Sequence, residues 1–387
     1  AYNNVPHVGH CHPAVVRAAT AQMRRLNTNT RYLHDAALAY ADRLTALMPD
    51  ELSVCFFVNS ASEANELALR LARAHTQARD TLVMEHGYHG NTTGALDISP
   101  YKFRHLDGPP PWVHVTPQPD VYRGEYRGAD AGARYAARVS ECLQTLAANG
   151  RRPAAYVCEA VPSVGGQIVL PDGFLARVYD AVRAAGAVCI CDDVQTGLGR
   201  LGVSLWGFEP GGVVPDIVVL GKPLGNGHPL AAVVTRPAIA ESFGAQVEFF
   251  STFGGNTVSC AVGLAVLDVL AEEDLVAGAR RTGERLSQGL RELMADHALI
   301  GDVRGMGLFL GVELVTDRDA RTPATRQATY VKNRLRERRV LIGSEGPHDN
   351  VLKIRPPMSF DGAAADALLE RLAGVLREDC AQPDAVS

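Results

Sequence analysis

The sequence predicts an α/β protein with a mostly parallel central sheet, joined to a smaller α+β domain. Two observations carry this. Short apolar runs recur between helical patterns at 54–58 (VCFFV), 81–84 (TLVM), 154–158 (AAYVC), 187–191 (AVCIC), 216–220 (DIVVL) and 230–234 (LAAVV). Strands of that kind are buried on both faces, the mark of a parallel sheet covered by helices. Past residue 257 the pattern changes to long amphipathic stretches at 258–272, 275–297, 323–338 and 361–377, around a few strands such as GLFLGVEL and NVLKIRPP.

Taken in order, residues 13–26 read as a helix that packs with the C-terminal part of the chain. After the first strand, Ala64, Leu67, Ala68, Leu71 and Ala72 follow the i, i+3, i+4, i+7, i+8 spacing, which gives a helix one apolar face. Ser60 and Glu63 stand at its start with the spacing of a capping box. GPPPW at 108–112 reads as a local loop, and no internal repeat or low-complexity segment appears. The large domain is expected over 35–257, and the small one from 1–34 together with 258–387.

Composition narrows the function classes. The chain has 387 residues, 47% hydrophobic and 21% charged, as in an ordinary globular protein. A net charge of −5 gives no electrostatic reason to bind nucleic acid or an anionic membrane, and no apolar run is long enough to cross a bilayer. The eight cysteines are scattered, so a reducing cytosol, and a cytoplasmic protein, is the expectation. The sequence opens on AYNNVPHVGH without an initiator Met, which leaves a preceding segment and a targeting signal open.

The chemistry centres on Lys222, in DIVVLGKPLGNGHP. Most lysines are solvated surface charges. This one follows an apolar strand, and the carboxyl ends of strands are where open α/β sheets bind ligands. A lysine desolvated there becomes a nucleophilic amine. Strand AVCIC runs into Asp192 and Asp193, which as neighbours in a strand point to opposite faces. Asp192 is the better candidate to face a ligand, because Val194 shares its side and can pack on a planar ring, with Gln195 in reach of a ring hydroxyl. A lysine that forms a Schiff base, with a carboxylate that keeps a pyridine nitrogen protonated, describes a pyridoxal 5'-phosphate site. Its phosphate needs an anion site, which NSASEANE offers through Ser60, Ala61, Ser62 and the free N–H groups of a helix start. Alone, that segment is equally well a simple helix cap. Tyr88, in MEHGYHGNT, is a candidate to stack on the ring.

Two patterns point elsewhere and are set aside. Gly197, Gly199 and Gly202 match G-x-G-x-x-G after a strand, but VSLWGFEPGG follows, and Gly207 and Pro210 break the helix a dinucleotide fingerprint requires. His7, His10, Cys11 and His12 resemble metal ligands but lack matching distant Cys/His pairs, so no metal is expected.

Over essentially its whole length the chain resembles the class III pyridoxal-phosphate aminotransferase family (fold type I), through NSASEANE, YHG, CDDVQTGLGR, DIVVLGKPLGNGHP, STFGGN and RGMGLFLGVEL. The resemblance implies a homodimer with active sites at its interface. It assigns the Schiff base to Lys222, the pyridinium contact to Asp192 and ring stacking to Tyr88. Phosphate contacts fall on Ala61, Ser62 and Thr252, the last reaching in from the other subunit. Ala61 stands where the family usually has Gly, and Asp193 replaces the commoner Glu; neither removes a group the chemistry needs. YNNVPHVGHCHP, LNTNTRYLHD, DISPYKF, VGGQI, GKPLGNGHP, TPAT and GPHDNVLKIRPPM are similar to the family's phospho-lyase branch, lyases that act on phosphorylated amines such as phosphoethanolamine. In that branch a cation must meet the substrate phosphate. Arg355 occupies the family's carboxylate-binding position, with Glu159 as its resting partner, and Arg123 and Arg127 are further candidates. A true ω- or alanine–glyoxylate-type aminotransferase is the alternative, and a silent cofactor-binding protein the third possibility.

Overall fold

A computed structural model describes residues 2–382; residue 1 and residues 383–387, the extreme ends of the expected small domain, lie outside the described residues. The first sheet holds seven strands: β1 (Val54–Val58), β2 (Asp80–Met84), β3 (Val113–Thr116), β4 (Pro153–Glu159), β5 (Val188–Asp192), β6 (Ile217–Leu220) and β7 (Ala231–Thr235). Their order is β1-β7-β6-β5-β4-β2-β3. The ladders from β3 across to β6 are parallel, and β7 runs antiparallel to both β6 and β1. β3 was not expected: VHVT has few apolar residues and sits at the sheet's edge, where half its surface needs no cover.

Alternation along the strands supplies the two faces. Val83, Val157, Ile190 and Val219 pack on one side with Ala64, Leu67, Ala68 and Leu71 of helix α1 (Ala61–Thr76). Leu82, Tyr156 and Cys189 point the other way, into a core shared with α2 (Ala131–Ala148) and α3 (Phe174–Ala184). Ser60 caps α1 by accepting from the Glu63 N–H at 3.2 Å, a contact worth about 1 kcal/mol. Glu63 reaches back one residue further than a standard capping box, to the N–H of Asn59 at 3.0 Å.

The second sheet is antiparallel, with β8 (Ile300–Met306), β9 (Phe309–Asp317), β10 (Thr322–Pro323), β11 (Gly343–Glu345) and β12 (Val351–Ile354). It packs with α5 (Leu275–Asp296), α6 (Thr325–Glu337) and α7 (Gly362–Leu376). The expected helix at 323 begins at Thr325, because Thr322 and Pro323 pair with β9 first. The N-terminal helix Pro13–Arg25 lies against α4 (Thr257–Glu272).

Register fixes what matters for function. Glu159 of β4 is paired with Asp192 of β5, and Asp192 with Val219 of β6. Three neighbouring parallel strands therefore end together, with Glu159, Asp192 and, two residues beyond Leu220, Lys222 at one edge of the sheet.

Candidate active site

Lys222 opens a short 3-10 turn, Lys222–Gly225, with φ of 27°. That conformation disfavours a side chain by about 1–3 kcal/mol, strain of a kind that clusters at functional sites. Burial lowers the amine's pKa, the nearby Asp192 carboxylate offsets part of the shift, and Arg355 adds to it. The amine borders a cavity of about 610 Å³, whose wall includes Ser60, Ala61, Ser62, Tyr88 and Asn91.

Asp192 is fixed by three donors. Its Oδ2 accepts from His89 Nδ1 at 2.8 Å and Asn65 Nδ2 at 3.0 Å, and its Oδ1 from the Val194 N–H at 3.2 Å. Asp193 points away and accepts from Thr196 Oγ1 and from the Gly207 N–H at 2.8 Å. Burial pushes its carboxyl up to about 7. One acid thus faces the Lys222 side of the sheet while its neighbour braces the following loop.

At the helix start both hydroxyls are engaged. Ser60 caps Glu63, and Ser62 Oγ donates to Asn91 Oδ1 at 3.0 Å while accepting the Asn91 N–H at 3.1 Å. The donors left for an anion are the first-turn N–H groups of α1, which a helix cannot satisfy itself. Gly90 permits this approach: at its φ of 137° a Cβ would lie 2.5 Å from Ser62 Oγ. Tyr88 forms one wall of the cavity and meets Tyr101 edge-on at 6.1 Å. Gln195 Oε1 accepts from Asn4 Nδ2 at 2.8 Å and from Arg355 Nη1 at 3.2 Å. Thr252 is exposed and outside the cavity's wall, its carbonyl accepting from Thr30 Oγ1 at 3.3 Å.

The cation candidates separate. Arg355 is buried and pairs with Glu345 at 3.0 Å, not with Glu159 as expected. Glu159 instead accepts the Ser163 N–H at 3.1 Å, and Arg355 donates to the same residue's hydroxyl at 3.0 Å. Burial and Asp192 push Glu159 up to about 7. Burial also opposes a charge on Glu345, but Arg355 and Lys353 outweigh it and hold its carboxyl below the ordinary range. Arg127 lies apart from Arg355 in its contacts. It is exposed and donates to the carbonyls of Gly124 at 2.9 Å and Arg123 at 3.4 Å, so it closes its own turn. Arg123 is bound to the buried Glu313, which also holds Arg304 at 2.7 Å.

Sequence reasoning missed Asn65, His89 and Glu345. A polar Asn65 on the apolar face of α1 was the available signal for the first. The second adjoins Tyr88, and nothing local marks the third. Among the described residues no group of three His, Cys, Asp or Glu could hold a metal ion. The His7 Nε2–H donates to the Leu198 carbonyl, 2.7 Å away, and His12 meets Glu273 at 2.9 Å. The glycines of TGLGRLG serve packing: a Cβ on Gly202, φ 71°, would stand 2.6 Å from the Arg280 nitrogen.

A buried carboxylate beside a desolvated lysine, at strand ends facing a helix N-terminus, is the donor set a pyridine-ring phosphate cofactor requires. The family model "Aminotransferase class-III" matches residues 2–376. The chain belongs to the class III aminotransferase family. Pyridoxal 5'-phosphate is this family's cofactor, and a related amine transaminase from an uncultivated Pseudomonas species was solved in its PLP-bound form, 28% identical over 96% of this chain and 88% of that one, TM-score 0.88. A Drosophila melanogaster protein named alanine–glyoxylate aminotransferase 2-like is 50% identical over 97% of this chain and 79% of its own length. The Caenorhabditis elegans ethanolamine-phosphate phospho-lyase homolog 1 is 42% identical over 93% of this chain and 80% of its own. An Arthrobacter phospholyase solved with phosphoethanolamine superposes with a TM-score of 0.92, 40% identity and coverage of 96% and 88%. No helix among the described residues is long and apolar enough to cross a membrane.

Proposed function

We propose that this class III enzyme is a phospho-lyase that eliminates phosphate from phosphoethanolamine or a related phosphorylated amine. The products from phosphoethanolamine and water are acetaldehyde, ammonia and inorganic phosphate. The observation that carries this reading is the buried Arg355, next to Gln195 and paired with a carboxylate, Glu345, that it shares with Lys353. A phosphate oxygen is a fit partner for such a guanidinium. The likeness to the phospholyase solved with phosphoethanolamine supports it.

Pyridoxal phosphate, when bound, supplies the electron sink that makes the C–H beside the substrate's amine acidic. Lys222 would hold the cofactor through its amine and would be the base that takes that proton, a role favoured by the burial that lowers its pKa. Asp192, oriented by His89 and Asn65, supports the ring nitrogen. The first-turn N–H groups at Ala61 and Ser62 receive the cofactor phosphate, with Thr252 of a second copy completing that site in a homodimer. Tyr88 covers the ring, and Gln195, whose carbonyl is already engaged, offers its amide nitrogen. Arg355 steadies the leaving phosphate as the carbon–oxygen bond breaks, and water converts the two-carbon enamine to acetaldehyde and ammonia. We place the enzyme in the cytosol.

The aminotransferase reading has its own support in the relative at 50% identity. Incubating the holoenzyme with phosphoethanolamine and no keto acid separates the two. Stoichiometric phosphate and acetaldehyde are expected; amine transfer to a keto acid without phosphate release would establish the aminotransferase instead.

A further inference from the structure

Beside the cavity lies a cation with no role so far. Lys102 belongs to the DISPYKF stretch and sits in the 3-10 turn Pro100–His105. Its Nζ lies 4.9 Å from the ring centre of Tyr101 and 5.7 Å from that of Tyr88. Among the described residues it makes no ion pair or side-chain hydrogen bond, although it is only partly exposed. Burial pushes the Tyr88 phenol above its ordinary range, so that ring is neutral and attracts the ammonium through its face without cancelling its charge.

The turn is rigidly placed. The Tyr101 N–H donates to the Gly87 carbonyl at 3.1 Å, and the Ser99 hydroxyl accepts the His89 N–H at 2.9 Å. These two bonds straddle Tyr88, whose ring walls the cavity at Lys222, and His89 is itself tied to Asp192. The same turn also faces the other charged segment. Tyr101 and Pro100 share a cavity of about 160 Å³ with Val164, Gly346 and Pro347, the chain neighbours of Ser163 and Glu345, which hold Arg355. Lys102 therefore sits over the ring of a cavity-wall tyrosine, and its turn packs against the two loops that hold Arg355.

We propose that Lys102 is a specificity-determining residue that receives the phosphate of the substrate, working as the second cation alongside Arg355. This deepens the phospho-lyase reading and rests on it. A monoester phosphate carries close to two negative charges at neutral pH, so one guanidinium leaves it under-compensated, and an ammonium stored on aromatic faces costs little to redirect. A lysine suits the task because phosphate accepts a point charge from any direction.

The test uses the holoenzyme and its Lys102→Met, Lys102→Gln and Lys102→Arg variants. Two quantities are read: kcat/KM for phosphate release from phosphoethanolamine, and spectrophotometric binding of 2-aminoethylphosphonate, which has the anion but no ester oxygen to expel. Lys102→Met and Lys102→Gln should each weaken phosphonate binding about tenfold or more, and raise KM more than they lower kcat. Lys102→Arg should recover most of the loss. Binding of an unphosphorylated amine of the same length should change several-fold less, since a mere support for Tyr88 would affect both ligands alike. Equal losses for both amines, or phosphonate binding unchanged in both neutral variants, would overturn the proposal. A wild-type enzyme that releases no phosphate would instead defeat the phospho-lyase reading, a failure visible before any variant is compared.

Discussion

Replacing Arg355 by alanine tests the phosphate site most directly. In the resting enzyme Arg355 pairs with Glu345 at 3.0 Å and donates to Ser163 Oγ at 3.0 Å and Gln195 Oε1 at 3.2 Å. Its removal does not orphan Glu345, which keeps Lys353 and Gln167 Nε2, the latter at 2.8 Å. The stability cost should therefore be that of a few lost hydrogen bonds, about 1–3 kcal/mol, and not the 3–5 kcal/mol of a lone buried charge. For the substrate, loss of a buried charge-assisted anchor costs about 2–5 kcal/mol. Phosphate must first displace Glu345, so the net effect belongs near the lower end, about 2 kcal/mol or roughly thirtyfold in kcat/KM. Arg355→Lys should retain more activity than Arg355→Ala. Glu345→Gln should act in the opposite sense and lower KM, because the competing carboxylate has lost its charge. Initial rates of phosphate release from phosphoethanolamine, with no keto acid present, measure all three. An Arg355→Ala enzyme with unchanged kcat/KM, or a Glu345→Gln enzyme with a raised KM, would refute this assignment.

Three further outcomes are expected. Borohydride treatment of the yellow holoenzyme followed by peptide mapping should place the pyridoxyl group on Lys222, and a label on any other lysine would remove it from the mechanism. Asp192→Ala should leave the protein folded and coloured yet slow proton abstraction by orders of magnitude, whereas Asp193→Ala should chiefly lower the melting temperature by loosening the loop at Thr196 and Gly207; the reverse pattern would exchange their roles. Glu159 has a folded pKa of about 7, raised from 4.5, so the folded state binds more protons and loses stability as pH rises between those values. Glu159→Gln should consequently stabilise the cofactor-free protein at about pH 8 by up to ~3 kcal/mol, and much less at about pH 5; an advantage independent of pH in urea unfolding would show that Glu159 is not held neutral.

The sequence by itself determined six of the seven strands of the first sheet, the family and the cofactor, for local reasons. Runs such as VVL and VCIC have no stable place except between two layers, and a lone lysine after one of them announces its chemistry through its immediate neighbours. Partners far apart in sequence were decided only by tertiary structure. Adjacency in the chain separates the directions of Asp192 and Asp193, but only strand register sets Glu159 beside Asp192. Arg355 shows the limit most plainly: its carboxylate partner comes from the hairpin of β11 and β12, where Glu345 and Lys353 converge, and not from β4. Arg123 and Arg127 carry the same charge within one short motif, yet one is claimed by Glu313 from the second sheet and the other closes its own turn. A side chain's type fixes which chemistry it can do. Which charge it meets depends on how two sheets pack, because desolvation leaves a buried ion bound to whatever counter-charge the fold brings within hydrogen-bond reach.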